Sequence, residues 1–278
     1  MRRKDRLKQC VKAVTLDLWE TLLFEKDGAS NRRSATRFRD VADAFSRFGV
    51  HVSAEQVESA MKHAIASLLD VWNRNEDVSH AEQLELLVQF VSNGSFALKN
   101  EWIEELSSAY ASPFFKVPPY LNPDAMGVLE DLAETGKRIG LICNTGLTPS
   151  FALKEFLDSE GVLEYFDLLV FSDEIGFRKP DPKIFHFSAR KLKIDPCSIV
   201  HVGDNLRIDV WGAKNAGFKA ILFSSEEGKD KIAEADPTSL VAQSRKLGPL
   251  EREHITPDKT ITRLNMLIRA VKEIEMEI

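Results

Sequence analysis

The short apolar run Val11–Leu16 closes on a carboxylate, Asp17, with Trp19 two residues on and Thr21 four residues on. The run reads as a fully buried strand. Open α/β sheets keep their ligand crevice just past the C-terminal ends of such strands, and a carboxylate held there by a backbone turn has the placement of a nucleophile. Taken alone, the same aspartate serves equally as a turn former or a helix cap. Three later stretches add groups of related chemistry. Ile139–Cys143 is a second apolar run, followed by Asn144 and Thr145. Arg178-Lys179-Pro180-Asp181-Pro182 places a lysine against prolines, and Val202-Gly203-Asp204 is followed by Asp209.

In this order, strand-Asp, strand-Cys-Asn, Lys-Pro and Gly-Asp-x-x-x-x-Asp, the chain resembles the haloacid dehalogenase superfamily of hydrolases over Val11–Phe223. The resemblance implies Asp17 as the catalytic nucleophile and Lys179 as its partner. The lysine would hold Asp17 ionised and offset charge on a transferring phosphoryl group. A phosphomonoester carries about two negative charges, so the attacking carboxylate needs cationic help. Mg²⁺, which takes oxygen ligands, is the expected cofactor. Its implied ligands are Asp17, Asp204 and the backbone carbonyl of Trp19, with Asp209 acting directly or through a water. Cys143, Asn144 and Thr145 are the implied contacts to the phosphate oxygens.

Two positions depart from that pattern. Phosphatases of the superfamily carry a second aspartate where this chain has Trp19, and that aspartate protonates the leaving group, a contribution of about 10²–10⁴ in rate. With tryptophan there, the leaving group departs without a proton, or a cap residue or water supplies it, or catalysis is lost. Haloacid dehalogenases have an aromatic residue at this place, but they use no Mg²⁺ and lack an intact Gly-Asp-x-x-x-x-Asp. Both Asp204 and Asp209 are present here. The expectation is therefore a Mg²⁺-dependent hydrolase of a small phosphorylated metabolite, acting through an aspartyl-phosphate. The alternatives are a 2-haloacid dehalogenase with the same nucleophile and a weakly catalytic binding or regulatory protein. The second departure is Cys143, which stands where serine or threonine is usual and offers only a weak S–H donor, so Asn144, Thr145 or backbone amides would take over. As a nucleophile Cys143 lacks a nearby histidine, and a small buried residue is the simpler reading.

Two kinds of element must position these groups. After Phe24 the pattern turns helical without intervening strands: Arg37–Phe48, a helix opened by the Ser53–Gln56 capping box, one opened by Ser79–Glu82, and Asn100–Tyr110. Four amphipathic helices can bury a core of their own, which predicts an inserted helical cap domain over 25–118. The remaining segments, 1–24 and 119–278, alternate strand and helix and predict a doubly wound parallel α/β core domain, closed by a C-terminal helix around Leu264–Ile274. The helix after Tyr120 is expected to use Asn122 as cap and Pro123 as first residue. The polar stretch Ser224–Asp258 reads as a loop with a short helix. Arg32, Arg33, Arg37 and Arg39, clustered where the chain enters the helical segment, read most simply as a solvated basic face, with contact to an anionic substrate as the alternative, and His201 reads as a satisfied core histidine.

Composition excludes several classes. At 278 residues the chain is long enough for one large or two ordinary domains. A net charge of −6 lacks the basic footprint that nucleic-acid phosphates demand. Three scattered cysteines, Cys10, Cys143 and Cys197, make no disulfide or metal framework and point to a reducing cytoplasm. No stretch approaches the apolar length that spans a membrane. The expected partner is a small anionic substrate.

Overall fold

Short runs of Val, Ile and Leu, none longer than six residues, pair into one six-stranded parallel sheet. In a computed structural model describing residues 10–225 and 255–277, its strands are β1 (Ala13–Leu16), β4 (Arg138–Cys143), β5 (Leu168–Phe171), β6 (Ile199–Gly203), β7 (Lys219–Phe223) and β8 (Lys259–Ile261). Their spatial order is β5-β4-β1-β6-β7-β8. Val14, Leu16, Leu141, Val200 and Val202 enter one apolar cluster with residues of the helices α5 (Ala125–Glu134), α6 (Ser150–Ser159) and α9 (Leu267–Glu277). Ala13, Ile142, Val170 and Ile199 enter another, built on α8 (Pro182–Leu192). Helices on both faces explain why the central strands β1 and β6 are buried along their whole length rather than at alternate positions.

Register does the positioning. Leu16 lies level with Leu141 on one side and Val202 on the other. The strands β1, β4 and β6 therefore end at one edge, and Asp17, Asn144 and Asp204 all emerge there.

The chain leaves the core through β2 (Leu23–Phe24) and returns through β3 (Tyr120–Leu121), which pair antiparallel. Between them stand α1 (Ala29–Arg47), α2 (Ala54–Asn73), α3 (His80–Ser92) and α4 (Asn100–Lys116). Both expected capping boxes form, at Ser53/Gln56 and Ser79/Glu82. The insert has its own apolar cluster, with Val41, Phe45, Val57, Leu84, Leu106 and Tyr110 among its members. Trp102 stacks on Phe48 with ring centroids 4.9 Å apart.

Several elements differ from the sequence reading. Helix α1 begins at Ala29, eight residues before Arg37; its N-cap, Gly28, offers no side chain to signal the start. Helix α4 runs through Pro113 to Lys116 because Phe114, fully buried, anchors the last turn. Helix α5 starts at Ala125, because Asn122 instead ties the turn together, donating to Thr21 O (3.0 Å) and accepting from Asp124 N–H (3.0 Å). Strand β8 and the short helix α7 (Ser172–Ile175) were not anticipated. The expected short helix within Ser224–Asp258 falls largely on residues outside those described.

Candidate active site

Asp17 follows β1 directly, its N–H donating to Val202 O (2.8 Å). Its Oδ1 accepts from Lys179 Nζ at 2.5 Å, and the same ammonium donates to Asp209 Oδ1 at 2.7 Å. Lys179 is 1% exposed, the mark of a buried cation kept only by its partners. Burial works against its charge, but Asp17 and Asp209 outweigh that and raise its pKa. Burial pushes the Asp17 carboxyl up to about 6, with Lys179 opposing and Asp209 adding to the rise. At Asp209 burial also pushes upward, yet Lys179 and His201 prevail and hold that carboxyl below its ordinary range.

Asp209 is fixed on every side. Oδ1 also meets His201 Nε2 (3.2 Å), while Oδ2 accepts from Asn205 N–H (3.0 Å). His201 in turn bonds Thr15 Oγ1 through Nδ1 (3.0 Å). Asn205, rather than Asp209, caps the following π-helical turn Leu206–Trp211 by accepting from the N–H groups of Arg207 and Ile208. Gly203 is required by this packing, since a Cβ there would stand 2.3 Å from Asp209 Cγ.

Oxygens of Asp17, Asp204 and Asp209 lie within 4.8 Å of one another. Asp204 is half-buried and faces the cavity described below.

The residues after β4 part company. Cys143 is fully buried within the apolar cluster and is absent from the cavity wall, and burial drives its thiol well above its ordinary pKa. Of the three expected substrate contacts, Cys143 is the one whose side chain the fold packs into the core, in the last position of β4, rather than into the cavity wall. Asn144 does line the cavity, but its carboxamide also grips the backbone of the lysine: Nδ2 donates to Lys179 O and Oδ1 accepts from Lys179 N–H, both at 2.9 Å. Thr145 also lines the cavity, with its N–H donating to Ser172 Oγ at 3.0 Å.

The cavity, about 190 Å³, lies between the strand ends and the insert. Trp19 forms part of its wall and meets Phe114 of α4 edge to face, ring centroids 6.3 Å apart. From α1 come Arg33 and Arg37, 6% and 3% exposed; Arg32 and Arg39 are exposed. The solvated-face reading therefore fails for two of the four arginines, which the insert turns inward. Arg33 forms a two-pronged pair with Glu25 (2.7 and 3.0 Å) and donates to Val117 O (2.9 Å). Arg178 sits over the Trp72 ring of α2 at 4.4 Å and pairs with Asp77 (3.3 Å), whose other oxygen accepts from Trp72 Nε1 (2.9 Å). The Arg178 N–H donates to Asn75 O. The grip of Asn144 on the lysine backbone and the Trp72–Arg178 contact were not legible as site features, whereas Arg37 was one of four arginines for which contact with an anionic substrate stood as the alternative reading.

A parallel sheet with carboxylates gathered at the carboxyl ends of its central strands, roofed by an inserted helical layer, is an open α/β architecture with its ligand site in that crevice. The family profile described as haloacid dehalogenase-like hydrolase matches residues 11–217. The chain belongs to the haloacid dehalogenase-like hydrolases. It is 40% identical over 104 residues to a glyceraldehyde 3-phosphate phosphatase of Methanothermobacter thermautotrophicus, covering 37% of this chain and 45% of that one. It is 33% identical over 139 residues to a ribulose-1,5-bisphosphate 5-phosphatase of Halopiger xanaduensis, covering 50% of this chain and 56% of that one. The chain thus spans about half the length of these curated relatives. A crystal structure of 2-haloacid dehalogenase from Pseudomonas syringae pv. Tomato DC3000 superposes with a TM-score of 0.64 at 19% identity, covering 95% of this chain and 99% of that one, a likeness of fold. Among the described residues no helix is long and apolar enough to cross a membrane.

Proposed function

We propose that this protein hydrolyses small phosphomonoesters, with Asp17 as nucleophile and the helical insert, 25–118, as a cap domain over the site. The observation that carries the reading is the convergence of Asp17, Asp204 and Asp209, two of which, Asp17 and Asp209, share a single buried ammonium. One lysine leaves these carboxylates with net negative charge, and an incoming phosphate would add about two more. The hard oxygen donors, converging within 4.8 Å, fit Mg²⁺. Held by Asp17, Asp204, the Trp19 carbonyl and Asp209 directly or through water, the ion would supply the positive charge that the transferring phosphoryl group needs.

Asp17 attacks phosphorus, the new O–P bond forming as the ester P–O bond breaks. Lys179 keeps Asp17 ionised and faces the transferred oxygens, while Asn144 fixes the lysine backbone. Trp19 has no proton to give, so the leaving alkoxide takes one from water. Water then attacks the aspartyl-phosphate, releasing phosphate and restoring Asp17. The two curated relatives, named as phosphatases of glyceraldehyde 3-phosphate and of ribulose-1,5-bisphosphate, support the substrate class.

The aromatic residue at Trp19 favours one rival, dehalogenation at carbon by the same aspartate. Phosphomonoesters and 2-haloacids assayed with Mg²⁺ and with EDTA separate the two. Phosphate release only with Mg²⁺, lost in Asp17→Asn, is the expected result; metal-independent halide release would overturn it. Because no acid stands at position 19, aryl phosphates should outpace alkyl phosphates steeply. A flat response to leaving-group pKa would show that a proton donor exists elsewhere.

A further inference from the structure

Four cations line the cavity, and three have carboxylate partners. Lys179 is held by Asp17 and Asp209, Arg178 by Asp77, and Arg33 by Glu25. Arg37, one turn beyond Arg33 on α1, is 3% exposed and has no carboxylate in ion-pair reach among the described residues. Its Nε donates to Tyr110 O (2.8 Å), and its guanidinium lies over the Tyr110 ring at 4.6 Å. Those contacts orient the group, but neither cancels its charge. Burial lowers its pKa, with Tyr110 opposing and Arg33 adding to the fall; a guanidinium nonetheless stays protonated. Burying an uncompensated charge is costly unless something that binds there supplies the opposite one.

We propose that Arg37 receives a carboxylate carried by the substrate, so that the preferred substrates are short phosphorylated carboxylic acids. The inference rests on the phosphatase reading for the other end of the molecule. A carboxylate matches the one positive charge of Arg37, whereas a second phosphoryl group would bring about two negative charges. The guanidinium fork also fits a planar carboxylate through paired N–H donors. Arg37 and Asp17 line the same cavity, so one small molecule can present its carboxylate to the first and its phosphoryl group to the second.

Glycerate 3-phosphate and glycerol 3-phosphate make a matched pair, differing only in carboxylate against hydroxymethyl. The readout is the ratio of their kcat/KM values, which is independent of the fraction of enzyme folded. The native protein should favour the acid by about 10–100-fold, the range of a charge-assisted hydrogen bond. Arg37→Met should bring the ratio close to one, and Arg37→Lys should keep part of it. A native ratio near one, or an unchanged ratio in Arg37→Met, would overturn the proposal. So would an Arg37-dependent preference for 1,3-propanediol bisphosphate over the acid. Calorimetry with 3-phosphonopropionate and propylphosphonate separates this inference from the phosphatase reading. If no phosphomonoester is hydrolysed, an Arg37-dependent preference for 3-phosphonopropionate still upholds the carboxylate contact. Equal binding of the two phosphonates, or none of either, overturns it.

Discussion

Lys179→Met removes the one ammonium that two buried carboxylates share while keeping most of the side chain's apolar stem. The native Nζ makes charge-assisted bonds of 2.5 Å to Asp17 and 2.7 Å to Asp209. Asp209 keeps two further partners, the Asn205 N–H and the His201 ring, so most of the loss falls on Asp17. Stranding one member of a buried ion pair costs about 3–5 kcal/mol, and that is the expected fall in unfolding free energy by urea titration in EDTA at pH 7. Metal affinity should move the other way. The lysine stands among the carboxylates proposed to hold Mg²⁺, and two like charges close together in a partly desolvated site repel by several kcal/mol. Calorimetric titration should show Mg²⁺ binding to Lys179→Met at least about tenfold more tightly, while phosphatase turnover collapses. A variant within about 0.5 kcal/mol of the native protein would refute the buried-pair reasoning, the scale of an ordinary surface substitution. Weaker Mg²⁺ binding would show that lysine and metal do not compete for these carboxylates.

Gly203→Ala should displace Asp209, because the new Cβ would stand 2.3 Å from Asp209 Cγ and 2.5 Å from Oδ2. A loss of about 1–3 kcal/mol is expected, with a larger proportional loss of activity. Gly127→Ala in α5, where a Cβ meets nothing within 4 Å, is the control and should gain up to about 1 kcal/mol by thermal melting; equal behaviour of the two would refute the cradle. His80 gives a pH signature. Burial, with Arg37 adding to it, lowers its folded-state pKa to about 4. The unfolded chain, near 6.5, takes up the proton first, so stability present above that value is lost as pH falls toward 4. Between pH 7 and pH 5 the native protein should lose about 2 kcal/mol relative to His80→Gln. Parallel pH–stability curves for the two proteins would count against a buried neutral imidazole.

The candidate site was legible where chemistry follows strand ends. Asp17 and Asp204 are read from short apolar runs, and parallel register carries both to one edge without further information. Lys179 and Asp209 sit close after such ends, and their local spacing was enough to nominate them. Residues whose role depends on the insert were not legible. Arg33 and Arg37, four residues apart on α1, look the same in sequence whether they face solvent or a cavity, and only the packing of α4 against α1 decides for them. The grip of Asn144 on the Lys179 backbone spans 35 residues and leaves no local pattern. The placement of Cys143 was not legible either, because a motif position says nothing of which way the pleat turns its side chain, here into the core. The start of α1 was missed because its polar first turns carry no capping side chain.

The contact of Arg178 with Trp72 and Asp77 has a mechanical consequence. Arg178 precedes Lys179, and its backbone and side chain both hold the segment that follows α2. Swinging α2 away from the sheet would therefore pull on the peptide bearing the site's ammonium before it widened the cavity there. The opposite flank is tied as well: Arg33 of α1 pairs with Glu25 and lies over the Phe114 ring, so parting α1 from the wall there would unpair a charge along with the Trp19–Phe114 contact.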